Sequence, residues 1–357
     1  MPNQPFVSVI VPVHNAGEYI EICMDALLAS SHQSFEIIMV DDCSTDDSVE
    51  IARLKGITVL QLSRQSGPAA SRNFGALHAR GEILIFIDSD VLVRQETITR
   101  IVENFQHNPD IVAVFGSYDD EPLEKNFMSQ YRNLFHHFHH QHSDTEAFTF
   151  WAGCGAIRKK VFEEMGGFDQ KKYTKPSIED IELGYRIHKK GYRIILDRDL
   201  QVKHLKRWGF LSMLRTDVFR RAVPWSRLIL ETKFMPNDLN LQMTHKTSSI
   251  SVTLMILVIP FLFFGHTKFY EIPIVPAASL FLSVLFVNFL ILNRELYSFY
   301  VRRKGLMFML RVIPLHLLYY LYSGISFVVC WISYRFSIPG FLYHMVEKYN
   351  ARAHRKI

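Results

Sequence analysis

Two aspartates, Asp88 and Asp90, stand one residue apart directly after an apolar run, Ile83–Ile87. An apolar run bounded by Gly81 and a polar cluster predicts a strand that is buried on both faces, as in a parallel sheet. Open α/β sheets bind ligands at the carboxyl ends of their strands. Two carboxylates this close repel each other unless a hard cation lies between them and an anionic ligand. The spacing therefore predicts a cation-assisted anion site, for which a nucleotide diphosphate is the obvious ligand.

Polar residues also follow the other predicted strands at this edge. Asp41 and Asp42 follow Phe35–Val40, and the first strand ends in Pro12–Asn15. A carboxylate such as Asp41 can accept a hydrogen bond from a base or ribose, and Arg72, near a helix start, would neutralise a diphosphate. Each residue also has a plain structural interpretation, Asp41 or Asp42 as a helix cap and Arg72 as a solvated helix residue. Their shared order and spacing favour the ligand site.

Apolar runs alternate regularly with helical stretches in the first part of the chain. The predicted strands are Val7–Val11, Phe35–Val40, Ile57–Leu62, Ile83–Ile87 and Ile111–Phe115. Helices are predicted between them at about 17–30, 46–55, 68–80 and 95–107. This βαβ series predicts an α/β fold with a mostly parallel sheet and helices on both sides.

Six motifs in a fixed order carry a family resemblance. They are VSVIVPVHN, VDDCSTDDS, GPAASRNFGA, IDSD, GGFD and IEDIELGYR. Together they resemble the family 2 inverting glycosyltransferases, which have the nucleotide-sugar-binding fold called GT-A. The resemblance covers about residues 5–205. It implies a Rossmann-like α/β domain that binds a nucleotide-diphosphate sugar and a divalent metal, Mg²⁺ or Mn²⁺.

The resemblance also assigns roles on the donor side. Asp41, after the second strand, would contact the base, and Asp88 and Asp90 would contact ribose and metal. The implied donor-binding set is Pro12, Asp41, Arg72 and Asp88. His204 follows a strand-like run, Tyr192–Leu196, and resembles the histidine that completes the metal shell in some members. An imidazole ligand suits Mn²⁺ better than Mg²⁺.

The catalytic candidates lie in Ser177-Ile178-Glu179-Asp180. An inverting transfer needs one carboxylate to deprotonate the acceptor hydroxyl while that hydroxyl attacks the anomeric carbon opposite the departing diphosphate. The position of the motif implies that Asp180 is this base, and that Glu179 orients the acceptor or supports the base. The alternative is that both carboxylates merely lie in the first turn of a helix at 178–189 and have no catalytic role.

Two further segments are assigned to the acceptor side. Trp151, Gly153 and Cys154 lie in a glycine-containing stretch that would let a substrate approach the backbone closely. Gly166–Asp169 predicts a turn that shapes the same side. A histidine cluster at 136–142 has helical spacings that suit a transition metal, but a solvated or lipid-headgroup-facing helix is the favoured interpretation.

The second part of the chain predicts membrane helices. Stretches of 21, 22 and 23 residues without Asp, Glu, Lys or Arg lie between Lys246 and Lys268, Glu271 and Arg294, and Arg311 and Arg335. About 20 residues suffice to span a bilayer. Buried helices of a soluble domain are the less favoured alternative. The sequence therefore predicts three spans, with the last interrupted at Pro314 and Gly324.

Charge predicts the orientation of these spans. No signal peptide precedes the first strand, and basic residues collect between the second and third spans, so the catalytic domain is expected on the cytoplasmic side. The basic tail contradicts a simple third crossing, which leaves its location open. Four cysteines without paired or metal-ligand spacing fit a reduced compartment. The net charge of +5 is better explained by anionic lipid than by nucleic acid.

Between the two parts, residues 207–245 combine aromatic, apolar and basic residues. This pattern predicts an amphipathic helix at the membrane surface, broken at Pro224, with a helix packed on the domain as the alternative. Processive polysaccharide synthases of the family carry a Gln-x-x-Arg-Trp motif in this region. The nearest stretch here, Phe219–Trp225, departs from that motif.

The combined prediction is a membrane-anchored, metal-dependent, inverting glycosyltransferase of the hexosyltransferase type. It would move a single sugar from a nucleotide-diphosphate donor to a lipid or glycolipid acceptor at the cytoplasmic face. A processive polysaccharide synthase and an inactive nucleotide-sugar-binding membrane scaffold are the alternatives. The predicted regions are a GT-A domain at 1–206, a membrane-interface region at 207–245, spans at 246–335 and a basic tail at 336–357.

Overall fold

The computed structural model of the chain describes residues 5–236, 239–263, 268–269 and 272–336. These residues belong to two compact units, one that ends at Phe210 and one that begins at Leu211. The predicted basic tail lies outside the described residues from position 337 onward. Each unit has its own core and is described by itself.

The first unit alternates strands and helices as the apolar periodicity predicts. Its strands are β1 Val7–Val13, β2 Phe35–Asp41, β3 Thr58–Gln61, β4 Ile83–Ile87, β5 Val91–Leu92, β6 Ile111–Tyr118, β7 Glu146–Ala147, β8 Cys154–Arg158 and β9 Arg193–His204. Its helices are α1 Gly17–Leu28, α2 Ser48–Leu54, α3 Pro68–His78, α4 Thr97–His107, α5 Phe127–Gln141, α6 Lys159–Glu164 and α7 Glu179–Lys189.

The described strands of this unit form one nine-stranded sheet in the order β3-β2-β1-β4-β8-β6-β9-β5, with β7 paired to β9. The run from β3 to β4 is parallel, as predicted. The other half is mixed, because β8 lies antiparallel between β4 and β6, while β6 and β9 are parallel. The α/β class is thus confirmed, and the expected mostly parallel order holds for one half of the sheet.

The central strands explain why the site lies where it does. β1 and β4 are buried along their whole length, so helices cover both faces of the sheet. Because β1 pairs in parallel with β2 on one side and with β4 on the other, the carboxyl ends of all three strands meet at one edge. Asp41 ends β2 and Asp88 follows β4, so both carboxylates lie at this edge.

The described residues of the second unit are mainly helical, with one short antiparallel strand pair, β10 Lys268–Phe269 and β11 Ile272–Pro273. Its helices are α8 Phe210–Arg215, α9 Val223–Thr232, α10 Met243–Val258, α11 Ile274–Leu292, α12 Arg294–Lys304 and α13 Leu306–Arg335. Three stretches are long and apolar enough to cross a membrane, namely Met243–Phe263, Ile274–Leu292 and Leu306–Arg335. They coincide with the three predicted spans.

Two predicted interruptions of these helices are wrong. Residues 210–232 form one helical run, in which a π-helical segment, Thr216–Ala222, joins α8 to α9. Pro224 has no N–H and clashes with the carbonyl four residues before it, and the wider π turn just before Pro224 accommodates both effects. Likewise α13 runs without a break through Pro314 and Gly324. Apolar helices tolerate such a proline when neighbouring helices satisfy the backbone groups that it leaves without partners.

Hydrogen bonds between polar side chains connect the apolar helices of the second unit. The hydroxyl of Tyr320 lies 2.7 Å from His245 Nδ1 and donates to Asn293 Oδ1 at 3.2 Å. Asn293 Nδ2 in turn donates to Ser248 Oγ at 3.0 Å. Polar contacts of this kind between apolar helices fix their relative rotation, because a polar group facing lipid would lose its partners.

Candidate functional site

A buried arginine lies at the centre of the site. Arg72, on α3, donates from Nη2 to Asp88 at 2.6 Å and from Nη1 to Glu179 at 2.9 Å. The aromatic ring of Phe168 lies beside Arg72, with the ring centroid 5.6 Å from the guanidinium carbon. The ion pairs connect the end of β4 to the start of α7, although the two carboxylates are 91 positions apart in the sequence (179 − 88).

The charges of this cluster depend on one another. Burial alone would lower the pKa of Arg72, but the negative charges of Asp88 and Glu179 outweigh it and raise that pKa. Burial and the nearby charge of Asp90 raise the pKa of Asp88, against the opposing effect of Arg72. Because a buried charge without a partner is strongly destabilising, neither side of the cluster can lose its counter-ion without cost.

Asp180 has surroundings that suit a general base. Its Oδ1 accepts from the backbone N–H of Ile181 at 2.8 Å, and its Oδ2 accepts from that of Ala152 at 3.1 Å. Burial and the charge of Glu179 raise the pKa of Asp180 to about 6, with Arg72 acting in the opposite direction. A carboxylate whose pKa is raised in this way is a better proton acceptor near neutral pH than an exposed aspartate.

Glu179 is held much more tightly than Asp180. Its Oε1 accepts from Arg72, and its Oε2 accepts from the backbone N–H of Ser177 at 2.9 Å. Its side chain is 5% exposed. Its ion pair with Arg72 and its burial fit support of the base better than contact with an acceptor.

Asp90 and His204 come together on the other side of Asp88. His204 Nε2 lies 3.8 Å from Asp90 Oδ2, and Lys206 Nζ lies 3.9 Å from the same oxygen. Although burial opposes it, the nearby imidazole of His204 and the charge of Lys206 lower the pKa of Asp90 to about 2. Tyr118 stacks on the His204 ring with centroids 4.4 Å apart, which fixes the imidazole beside Asp90.

The residues at this edge of the sheet could hold a metal only together with a bound ligand. Within the described residues there is no ready-made cluster of three or more His, Cys, Asp or Glu side chains that would hold one. Asp90 and His204 nevertheless supply one oxygen and one nitrogen in contact, a donor pair that divalent manganese accepts. Asp88 is less available, because its Oδ1 is paired with Arg72. The pair fits a cation that takes its other ligands from a bound diphosphate.

A loop beside the first two strands is fixed by Asp42, a residue to which the sequence assigned no role beyond a possible cap. Its carboxylate accepts from the backbone N–H groups of Ser66 and Gly67 at 2.6 and 2.8 Å. This contact positions the turn that begins α3 and thereby Arg72. The acidic pair after β2 was the available signal, but only the fold shows which carboxylate faces the loop.

Asp41 and Pro12 are less accessible than a ligand-contacting residue usually is. Asp41 is 2% exposed, and its oxygens accept from Ser44 N–H and from the Gln61 amide. Pro12 is buried inside β1, where it pairs with Val40. The proposed contacts of these residues with a nucleotide stay predictions, as does that of Arg72, which would have to release one ion pair to bind a phosphate.

One of the three residues assigned to the acceptor side lies in the core. Cys154 begins β8 opposite Ile87 and is fully buried in the core, where burial raises the pKa of its thiol. A Cβ at Gly153 would lie 2.5 Å from the Trp151 ring, so a side chain there would displace that ring. The assignment of Cys154 is therefore wrong, whereas those of Gly153 and the half-buried Trp151 stay predictions.

The preferred interpretation of the histidine cluster is also wrong. His137, His139 and His140 are buried on α5, and His137 and His140 contact the carbonyl oxygens of Tyr118 and Gly116 in β6. They attach the helix to the sheet and are neither solvated nor exposed to lipid. His136 packs against Tyr118, with centroids 4.5 Å apart, and thus supports the ring that stacks on His204.

The predicted turn at Gly166–Asp169 is confirmed. Gly166 and Gly167 have φ values of +73° and +71°, which favour glycine. Asn73 holds the turn to α3 through two bonds, because its amide donates to the Phe168 carbonyl and its oxygen accepts from the Phe168 N–H. The turn therefore lies beside Arg72.

Comparison with known sequences gives one family match. The model described as glycosyl transferase family 2 matches residues 8–166. Glycosyltransferase GlyG of Streptococcus pneumoniae is 32% identical over 126 residues, which cover 34% of this chain and 42% of that protein. The putative teichuronic acid biosynthesis glycosyltransferase TuaG of Bacillus subtilis is 35% identical over 132 residues, or 34% of this chain and 52% of that protein.

The chain spans about half the length of the curated relatives it matches, between 42% and 55% of the first four. Among solved structures, S. aureus TarS 1–349 in complex with UDP-GlcNAc superimposes with a TM-score of 0.50 at 19% identity. That comparison covers 93% of this chain and 92% of the other. The likeness concerns the fold, and it confirms the predicted GT-A architecture.

Proposed function

The glycosyl transferase family 2 model matches residues 8–166, and on that premise we propose that the chain is a membrane-anchored inverting glycosyltransferase. It moves a single sugar from a nucleotide-diphosphate donor to a lipid-linked acceptor. The observation that carries the proposal is the cluster of Asp88, Arg72 and Glu179, with Asp180 beside it, at the carboxyl edge of the sheet. The cluster joins the predicted donor residues to the predicted base.

In the proposed reaction the donor lies at the ends of β1, β2 and β4. Asp180 accepts the proton of the acceptor hydroxyl as that oxygen attacks the anomeric carbon from the face opposite the diphosphate. The new carbon–oxygen bond forms while the bond to the diphosphate breaks, and the configuration inverts. The N–H groups of Ala152 and Ile181 hold Asp180 in place during this step, and the ion pair of Glu179 with Arg72 fixes the start of α7.

The departing diphosphate carries negative charge that the protein must stabilise. Asp90 and His204 would hold the divalent cation, which when bound supplies positive charge beside the diphosphate. Lys206 adds a positive charge of the chain itself at 3.9 Å from Asp90. Tyr118 holds the His204 ring in place by stacking.

The membrane part of the proposal rests on the second unit. Three described helical stretches are long and apolar enough to span a bilayer. Arg302, Arg303 and Lys304 are exposed in α12, between the second and third stretches, which supports a cytoplasmic location for this segment. All four cysteines, each within the described residues, are free thiols, in keeping with a reducing compartment.

The test is a donor panel. Full-length protein in detergent is incubated with uridine, guanosine and thymidine diphosphate sugars, with and without a membrane lipid extract. We expect one donor to release its nucleoside diphosphate several-fold faster when the extract is present. An Asp199→Ala variant, changed at an exposed carboxylate of β9, serves as the matched control and should behave as the parent protein. Lipid-independent release with every donor would contradict the proposal.

A further inference from the structure

A groove in the second unit has features of a lipid site. The helical run from the π segment into α9 packs along the second half of α13. Tyr322 donates to the buried Asp217 at 2.7 Å, and the Cys330 thiol lies 3.7 Å from the Val223 carbonyl. The two helices therefore run in the same direction, so their carboxyl-terminal ends lie side by side.

Between these two ends lies an open groove of about 360 Å³. Its wall on the α9 side is apolar and includes Ile229, Leu230 and, beyond the helix, Met235. Its wall on the α13 side contains Trp331 and Tyr334. Trp331 is 47% exposed and Tyr334 is 53% exposed, so large apolar surface faces outward here.

Two cations complete the lining of the groove, Lys233 and Arg335. Neither forms an ion pair within the part of the chain that the structure describes. Lys233 follows α9 with φ +54°, a left-handed conformation that glycine adopts more readily than other residues. A lysine therefore occupies a position whose backbone conformation glycine would adopt with less strain.

The position of the groove along α13 indicates how deep the groove lies in the bilayer. If α13 crosses the bilayer, as its length and apolar character favour, then Arg335 marks its end. Tryptophan, tyrosine and arginine at the end of a span lie at the level of the lipid headgroups. The cations therefore lie where lipid phosphates are, and the apolar walls lie where acyl chains begin.

We propose that this groove binds one anionic phospholipid, with the phosphate between Lys233 and Arg335 and one acyl chain along Ile229, Leu230 and Trp331. Charge complementarity supports this occupant, because among the described residues that line the groove none is acidic. The chain's own tail is a poor alternative, since residues 337–357 contain four basic residues and one acidic residue. The bound lipid would stabilise the contact of α9 with α13.

The test uses full-length protein in a maltoside detergent and native mass spectrometry. Dioleoyl phosphatidylglycerol is titrated, and dioleoyl phosphatidylcholine, with the same chains and no net charge, is the comparison lipid. A basic residue near an anionic lipid contributes about a five-fold gain in affinity. We therefore expect one tightly bound phosphatidylglycerol per chain and about a 25-fold loss in the double variant Lys233→Gln with Arg335→Gln.

A matched control separates the groove from general charge attraction. Arg302→Gln with Lys304→Gln removes the same charge from exposed positions of α12 that do not line the groove. It should leave the phosphatidylglycerol affinity within two-fold of the parent. Thermal unfolding in detergent checks that all variants fold. If the double variant does not fold, the single variants are measured and should each lose about five-fold.

Three results would overturn the proposal. One is equal affinity for the two lipids, and another is an equal loss in the groove and control variants. The third is a mass of two chains in the phosphatidylglycerol-bound state, which would make the groove a contact between copies. None of these bears on the proposed sugar transfer, because the readout is bound lipid and not turnover.

Discussion

Asp180 and Glu179 are adjacent in sequence, yet the structure gives them different surroundings. Glu179 has both oxygens engaged, by Arg72 and by the Ser177 N–H. Asp180 accepts from two backbone N–H groups, and its pKa is raised to about 6, mainly by burial and by the charge of Glu179. In the proposed mechanism Asp180 therefore accepts the proton, while Glu179, through its ion pair with Arg72, fixes the helix start that carries Asp180.

The first prediction separates these roles. Asp180→Asn keeps the size of the side chain but cannot accept a proton, so transfer should fall by roughly two to four orders of magnitude. Glu179→Gln should cost less, because an amide oxygen still accepts from Arg72. Steady-state turnover is compared with donor affinity by calorimetry. Near-normal turnover of Asp180→Asn, or a loss of affinity equal to the loss of rate, would place the base elsewhere.

The second prediction concerns pH. Asp180 acts as a base only when it is ionised, so kcat/KM should rise with pH up to about 6 and then level off. The charge of Glu179 raises this pKa, so Glu179→Gln should move the acidic limb to lower pH. A pH–rate profile of both proteins measures the shift. A limb that moves to higher pH in Glu179→Gln would show that another group is titrating.

The third prediction concerns the metal. Asp90→Ala should abolish turnover, and chelation of the parent protein should do the same until Mn²⁺ or Mg²⁺ is restored. His204→Gln should weaken Mn²⁺ binding, measured by electron paramagnetic resonance in the presence of nucleoside diphosphate, while the control Asp199→Ala should not. Full activity in excess chelator would remove the cation from the mechanism.

At the residue scale, the candidate site residues were easier to predict from the sequence than the contacts between them. Strand-end carboxylates are visible in a sequence, so Asp88 and Asp90 could be predicted as site candidates, and Asp180 from its motif at a helix start, although their roles stay predictions. The bridging role of Arg72 was not, because its two partners come from distant parts of the chain. The error at Cys154 has a similar cause, since a thiol after a glycine looks the same in sequence whether it faces a cleft or the core.

At the scale of elements, the strands and helices around the site were predictable from apolar periodicity. β4 has the predicted bounds, and β2 differs by one residue at its end. The mixed half of the sheet was not predictable, because β8 is a short buried strand whose pattern contains no information on its direction. The π segment before Pro224 was missed as well, since proline predicts only that the regular helix is disturbed.

The fourth prediction tests the turn that Asp42 holds. Gly67 has φ +87°, and a Cβ there would lie 2.5 Å from the Thr174 carbonyl oxygen. Gly67→Ala should therefore cost about 2–5 kcal/mol of stability and weaken donor binding. The control is Gly56→Ala, at φ +73° with open space around the Cβ, which should cost only about 1–2 kcal/mol. Chemical unfolding measures both, and equal losses would contradict the account.

At the scale of the whole molecule, the two units have separable tasks. The first unit contains the family match, the cluster around Arg72 and its own core. The second contains the three candidate spans and the lipid groove. Because the site residues all lie before Phe210, nucleotide binding should not need the second unit.

The fifth prediction follows from this division. A fragment of residues 1–210 should fold and bind the nucleotide-sugar donor with an affinity close to that of the full chain. Its transfer to an acceptor embedded in membranes should fall at least ten-fold, because nothing holds it at the surface. Calorimetry and transfer assays on vesicles compare the two proteins. Equal transfer by the fragment would show that the helices are dispensable and would weaken the lipid assignment.

The most direct test of the central claim is the mass of the product. Full-length protein is incubated with excess donor and membrane lipids, and the lipid fraction is analysed by mass spectrometry beside a reaction with Asp180→Asn. The account predicts one new lipid species, heavier than its acceptor by a single sugar residue and nearly absent with the variant. A ladder of added sugars would indicate a processive synthase, and the absence of any glycosylated lipid with every donor would contradict the proposed function.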